Sequence, residues 1–228
     1  MKDTDGHLMS DYYLTRQIQS SGAGGISRIS SNILMVGVGG QGVIMASDIL
    51  AETGMINGFD VKKSDSIGMA QRGGSVVSHI RLGEKVFSPL IKMGEADFLI
   101  GFEELEAARW APYLRTGGIA VVADVVLVPL SVNESKLTYP DWDVSRRILS
   151  RYAAQVTLVP AVSICQKLGN PRALNMVLLG FLATYMEIAF DEWQKNIQGK
   201  LPARYVESSL KAFAAGAAEA KKINAGDA

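Results

Sequence analysis

The chain has 228 residues, 48% of them hydrophobic and 20% charged, a balance that excludes wholesale disorder and supports one sizeable core or at most two small ones. Lysine plus arginine equals aspartate plus glutamate at 23 each, so composition gives no reason to coat nucleic acid or an acidic membrane. One cysteine, Cys165, and two histidines, His7 and His79, exclude an internal disulfide and a four-cysteine iron–sulfur cluster, argue against a zinc site, and fit a reducing compartment.

The first residues are polar and acidic, unlike a secretory signal. The most apolar helical stretch, Met176 to Phe190, is shorter than a bilayer needs and contains Glu187. The expectation is a soluble, cytoplasmic protein.

Residues 1–31 read as a flexible extension, with a linker-like Ser20-Ser21-Gly22-Ala23-Gly24-Gly25 run. Residues 32–228 read as a single domain. Ile33 to Val36 is a buried parallel strand that stops at glycines, and Gly42 to Met55 carries apolar residues at helical spacing. Phe59 to Lys63 is the next strand, so the opening is a βαβ unit. Ser75 to Leu82 is a strand that Gly83-Glu84 turns back into Lys85 to Ser88, an antiparallel hairpin that makes the sheet mixed.

Asp97 to Ile100 is a strand, Glu103 to Leu114 a helix stopped by Gly117-Gly118, and Ile119 to Val122 a buried strand. Asp141 to Ala153 reads as a helix and Gln155 to Val159 as a late strand. Asn170-Pro171 signals the start of a buried helix, and Pro202 to Ile223 is an alanine-rich amphipathic helix. The fold class is α/β: a three-layer, Rossmann-like domain with a mixed, mostly parallel sheet and a helical C-terminal portion.

Gly37-Val38-Gly39-Gly40-Gln41-Gly42 fits G-x-G-x-x-G between strand and helix. Such a turn bends sharply and brings bare N–H groups to a helix N-terminus, where an anion can sit. A tight turn needed only for packing is an equal reading. A dinucleotide additionally needs an acid about 20 positions on, at the end of the second strand. Asp60 lies at the start of that strand rather than after it, Asp65 falls in the loop after it, and Lys62 and Lys63 suit a phosphate.

The second glycine loop is Ser64-Asp65-Ser66-Ile67-Gly68-Met69-Ala70-Gln71-Arg72-Gly73-Gly74-Ser75. Its Arg72 either clamps a carboxylate or phosphate, of a ligand or of a protein partner, or pairs locally with an acid such as Asp65. Both loops lie at the sheet edge where open α/β folds bind ligands.

Together, residues 32–43 (Asn-Ile-Leu-Met-Val-Gly-Val-Gly-Gly-Gln-Gly-Val) and 68–79 (Gly-Met-Ala-Gln-Arg-Gly-Gly-Ser-Val-Val-Ser-His) resemble the gamma-type subunit of the 2-oxoacid:ferredoxin oxidoreductases. Within that family they are most similar to the small-subunit branch of the indolepyruvate:ferredoxin enzymes. Pro89, the run Asp97 to Glu103, and the run Asn175 to Gly180 extend the resemblance over nearly the whole domain.

The resemblance implies an enzyme that oxidatively decarboxylates a 2-oxoacid, an aryl one in this branch, to its acyl-CoA while reducing ferredoxin. Thiamine diphosphate and iron–sulfur clusters then belong to a large alpha partner subunit. This chain would bind no cofactor tightly, hold no metal and be inactive alone. Coenzyme A at the interface, ferredoxin reached through the holoenzyme, and a homodimer of the isolated chain stay open. The residues assigned to cofactor contact are Gly37, Gly39, Gly40, Gln41, Gly42, Arg72, Gly73, Gly74 and Asn175; no catalytic residue is assigned.

One departure stands out: Ser64-Asp65-Ser66-Ile67 occupies a place where the branch pattern reads Ser-Glu-x-His. Isoleucine can neither donate a proton nor hydrogen-bond through its side chain. That departure bears on the substrate more than on the family.

His79 reads as a structural strand histidine, Cys165 as a buried small hydrophobe, and Asn175 as an anchor near the glycine turn or a ligand contact. Glu103, Glu104 and Glu106 read as an acidic helix start. Two other functions remain: a stand-alone NAD(P)-binding oxidoreductase, and a pure subunit-interaction module.

Overall fold

The computed structural model describes residues 30–68, 73–127 and 139–226. Six strands form one sheet in the order β2-β3-β1-β4-β5-β6. They are β1 (Ser31–Val38), β2 (Asp60–Ile67), β3 (Ser75–Gly83), β4 (Ala96–Gly101), β5 (Leu114–Ala123) and β6 (Ala153–Val159). Strand β3 runs antiparallel to β1 and β2, while β1, β4, β5 and β6 pair in parallel. The sheet is mixed and mostly parallel, as the sequence predicts.

The apolar run of β1 divides by alternation. Ile33 and Met35 enter one core, Leu34 and Val36 the other, the two-residue period of a strand covered on both faces. The first core packs α1 (Val43–Ile56), α4 (Ala161–Lys167), α5 (Leu174–Ala183), α6 (Phe190–Lys200) and α7 (Ala203–Asn224) on one face. The second packs α2 (Glu104–Trp110) and α3 (Trp142–Leu149) on the other. Every residue of α5 is buried. Where α5 crosses α7, a Cβ on Gly180 would lie 1.9 Å from the Phe213 carbonyl oxygen, and one on Gly216 would lie 1.9 Å from that of Val177.

Several expectations are corrected. The hairpin joins β2 to β3 through residues 68–74, and residues 84–88 form no strand. A side chain takes a backbone group that a strand there would use: Asp60 Oδ2 accepts from the Val86 N–H at 2.8 Å. Because β3 lies between β1 and β2, the opening β-α-β crossover skips one strand. Asp65 sits inside β2 opposite Ser78 rather than in the loop.

Helix α2 ends at Trp110 and a 3₁₀ turn, Ala111–Tyr113, follows around Pro112. Gly117 and Gly118 therefore do not stop a helix; they lie in β5, where the pairing register shifts between Gly118 and Ile119. Helix α3 begins on its Asp141 cap, whose Oδ1 accepts from the Val144 N–H at 2.9 Å, but ends at Leu149, before β6. Asn170 caps no helix; its Oδ1 accepts from the Arg172 N–H at 3.2 Å in a turn, and α5 starts at Leu174. The apolar stretch from Met176 to Phe190 is broken, with α5 ending at Ala183 and α6 starting at Phe190. Among the described residues no helix is long and apolar enough to cross a membrane. The extension expected over residues 1–31 falls, for 1–29, outside the described residues.

Candidate functional site

The carboxyl end of β1 meets the amino end of β3, because Val38 pairs with Ser75. That register brings the two glycine loops together. The Gly39 N–H donates to the Gly74 carbonyl at 2.8 Å. From α2, Glu106 Oε2 accepts from the Ser75 hydroxyl at 2.6 Å.

The first turn is held by Gln41. Its Oε1 accepts from the Val38 N–H and its Nε2 donates to the Phe102 carbonyl, both at 2.7 Å. The turn is thereby tied to the end of β4, where the Phe102 N–H donates to the Val36 carbonyl at 2.8 Å. A Cβ on Gly37 would lie 2.7 Å from Phe102 Cβ, so this glycine is a packing requirement. Gly42 has φ +80°, and a Cβ there would lie 2.6 Å from Asn175 Nδ2. Asn175 is buried, accepts from the Met176 N–H through Oδ1 at 2.9 Å, and abuts the turn as an anchor would. Gly40 differs: it has φ +105° and no heavy atom lies within 4 Å of the Cβ position.

The structure thus gathers Gly37, Gly39, Gly40, Gln41, Gly42, Gly73, Gly74 and Asn175 at one end of the sheet. Arg72 lies outside the described residues. Helix α1 starts here with no acidic residue in its first turn and no capping side chain. A cleft of about 350 Å³ runs beside the turn, lined by Val38, Gly40, Ile44, Ile67 and Val76 among others. Ile67, the departure from the branch pattern, is 61% exposed and forms part of that cleft.

Neither acid considered for a ribose is placed to hold one. Asp60 lies at the far end of β2, bonded to Lys62 and the Val86 N–H, which hold its carboxyl below the usual range. Asp65 accepts from the Ser78 hydroxyl at 2.7 Å and pairs with Lys63 at 2.5 Å. Lys63 also pairs with Asp48 at 2.7 Å, so neither lysine awaits a phosphate.

His79 is buried edge-on to Trp110 and Tyr113, and burial pulls its pKa down. A neutral ring accepting from Ile91 is a structural role. Burial, then the charge of Asp124, pushes the Cys165 thiol up, away from the reactive thiolate.

Sequence reasoning missed how much the Glu103 carboxylate gathers. It accepts from the Glu106 N–H at 2.9 Å, the Leu127 N–H at 3.2 Å and the Tyr139 hydroxyl. Burial and that hydrogen bond drive the Tyr139 pKa far up, so the phenol stays a donor. The helix-start acids gave a signal for the cap, but none for partners 24 and 36 residues away.

Comparison with known proteins agrees with this architecture. The chain matches the pyruvate ferredoxin/flavodoxin oxidoreductase family over residues 32–219. It is 36% identical over 187 residues to indolepyruvate oxidoreductase subunit IorB of Archaeoglobus fulgidus, covering 81% of this chain and 92% of that one. Its fold is similar to the gamma subunit of a keto/oxoacid ferredoxin oxidoreductase from Geobacter sulfurreducens, with TM-score 0.64, 23% identity, and 85% and 97% of the two chains covered. A 2-oxoglutarate:ferredoxin oxidoreductase from Magnetococcus marinus, solved with 2-oxoglutarate, coenzyme A and succinyl-CoA, has TM-score 0.64 at 20% identity, with 84% of this chain matching 31% of that one. The chain belongs to the pyruvate ferredoxin/flavodoxin oxidoreductase family.

Proposed function

We propose that this chain is the small subunit of a cytoplasmic, thiamine-dependent 2-oxoacid:ferredoxin oxidoreductase of the indolepyruvate type. The holoenzyme converts an aryl 2-oxoacid to its acyl-CoA and reduces ferredoxin. What carries the reading is the pairing of two glycine loops through Gly39 and Gly74, in a chain 30–36% identical to indolepyruvate oxidoreductase subunits over 92–96% of their length.

The residues present do not fit the redox cofactors. One cysteine cannot ligate a cluster. Among the described residues no group of three or more His, Cys, Asp or Glu side chains is placed to hold a metal ion. The reading therefore assigns thiamine diphosphate and clusters to a large partner subunit, and no chemical step to this chain. Its joined loops shape the partner's active-site entrance, with coenzyme A passing at the interface.

Co-expression with the adjacent-encoded large subunit tests this. The two chains are expected to co-elute in size-exclusion chromatography, with iron and thiamine assayed only in fractions containing the large subunit. Separate elution, or iron and thiamine retained by the small chain alone, overturns it.

A further inference from the structure

A second cavity, of about 390 Å³, lies on the other side of Gly40. It opens beyond the carboxyl ends of β1 and β5, near where the crossover from β1 goes to one face of the sheet and that from β4 to the other. Open α/β sheets bind ligands at such switch points. The bare Gly40, with nothing within 4 Å of its Cβ position, keeps this side of the turn clear.

The walls are mostly apolar: Val125 and Leu127 after β5, Val162 and Cys165 on α4, and Leu174 at the start of α5. Among the described residues Arg172 is the one charged residue lining it. Arg172 has no carboxylate partner among the described residues. Its backbone is fixed, because its N–H donates to Asn170 Oδ1 while the Asn170 N–H donates to the Cys165 carbonyl at 3.0 Å. The opposite charge sits on the Cys165 side, where Asp124 accepts from the Val162 N–H at 2.8 Å and its field reaches the thiol. A ligand anion is repelled there and drawn to Arg172, while an apolar body fills the space between.

We propose that this cavity binds a small monocarboxylate with an aromatic or branched aliphatic body. Its carboxylate pairs with Arg172 and its apolar end packs on Val162, Cys165 and Leu174. The site lies wholly on this chain and does not rest on the assembly reading.

Titration calorimetry of the purified full chain tests it with phenylacetate, phenylpyruvate and the neutral 2-phenylethanol. Both acids are expected to bind saturably, roughly tenfold or more tighter than the alcohol, as a charge-assisted pair confers. Equal affinity for the two acids makes this a simple carboxylate site, whereas tighter phenylpyruvate binding extends recognition to the 2-oxo group. Arg172→Gln, a change at an exposed turn residue, is expected to erase the preference for acid over alcohol. Val162→Phe is expected to abolish binding of all three, with an unchanged far-ultraviolet circular dichroism spectrum. No saturable binding of either acid up to about 10 mM, beyond the weakest useful ligand range, overturns the proposal. So does a preference that survives Arg172→Gln.

Discussion

The Gly39 amide donates to the Gly74 carbonyl at 2.8 Å, which makes one structural unit of two loops 35 residues apart. Neither loop is therefore an independent motif. The dependence runs through Gln41, whose side chain holds the turn to Val38 and Phe102. Gln41→Ala leaves a part-buried N–H and a carbonyl without partners, a loss of about 1–3 kcal/mol each when buried. Chemical denaturation should show a drop of that order. Gln41→Glu, which keeps the acceptor and loses the donor, should fall between. Equal stability of all three proteins would mean the turn needs no clamp.

Helix packing gives a prediction of opposite signs. Gly180→Ala and Gly216→Ala force a Cβ to within 1.9 Å of a backbone carbonyl oxygen. Each should destabilise by at least about 1–3 kcal/mol, because backbone must move. Gly199, in the last turn of α6, meets nothing within 4 Å. Gly199→Ala should stabilise by about 0.5–1 kcal/mol through helix propensity and unfolded-state entropy. Denaturation midpoints of the three variants check both signs.

His79 sets a pH dependence. Burial lowers its pKa below the unfolded value of 6.5. Below that value the unfolded chain binds a proton the folded chain refuses, so stability falls as pH drops through 6.5 toward the folded pKa. His79→Gln should flatten this slope in thermal melts between pH 5 and 7, a window set by the histidine reference value. An unchanged slope would place the titrating group elsewhere.

Arg72 separates an active-site role from a purely adhesive one. In the assembled complex Arg72→Ala should lower turnover by roughly tenfold or more, the scale of a lost charge-assisted contact. Arg72→Lys should recover only part, because a point charge does not reproduce the guanidinium fork. Weaker assembly with unchanged turnover at saturating subunit would show that the loops only build an interface.

Much of the scaffold was legible because its signals are local. The apolar run Ile33–Val36 ending at Gly37 announces β1, and the alanine-rich amphipathic pattern announces α7. Errors arose where a distant side chain decides the local structure. Residues 84–88 looked like the second arm of a hairpin, yet Asp60, 26 residues away, takes the Val86 N–H. The glycines at 117 and 118 read as a helix stop, although Pro112 and the start of β5 had already ended α2. Helix α4 passed unnoticed because its seven residues, Ala161–Lys167, span too few turns to show a period. The glycine turn was plain in the sequence, but the Gln41 clamp, the Asn175–Gly42 contact and the Ser75–Glu106 bond depend on tertiary placement.

The most direct test is 2-oxoacid-dependent reduction of ferredoxin, measured for the large subunit alone, this chain alone, and the two reconstituted. The account predicts turnover with an aryl 2-oxoacid only in the reconstituted pair. Full turnover by the large subunit alone, or any by this chain unaided, would contradict it.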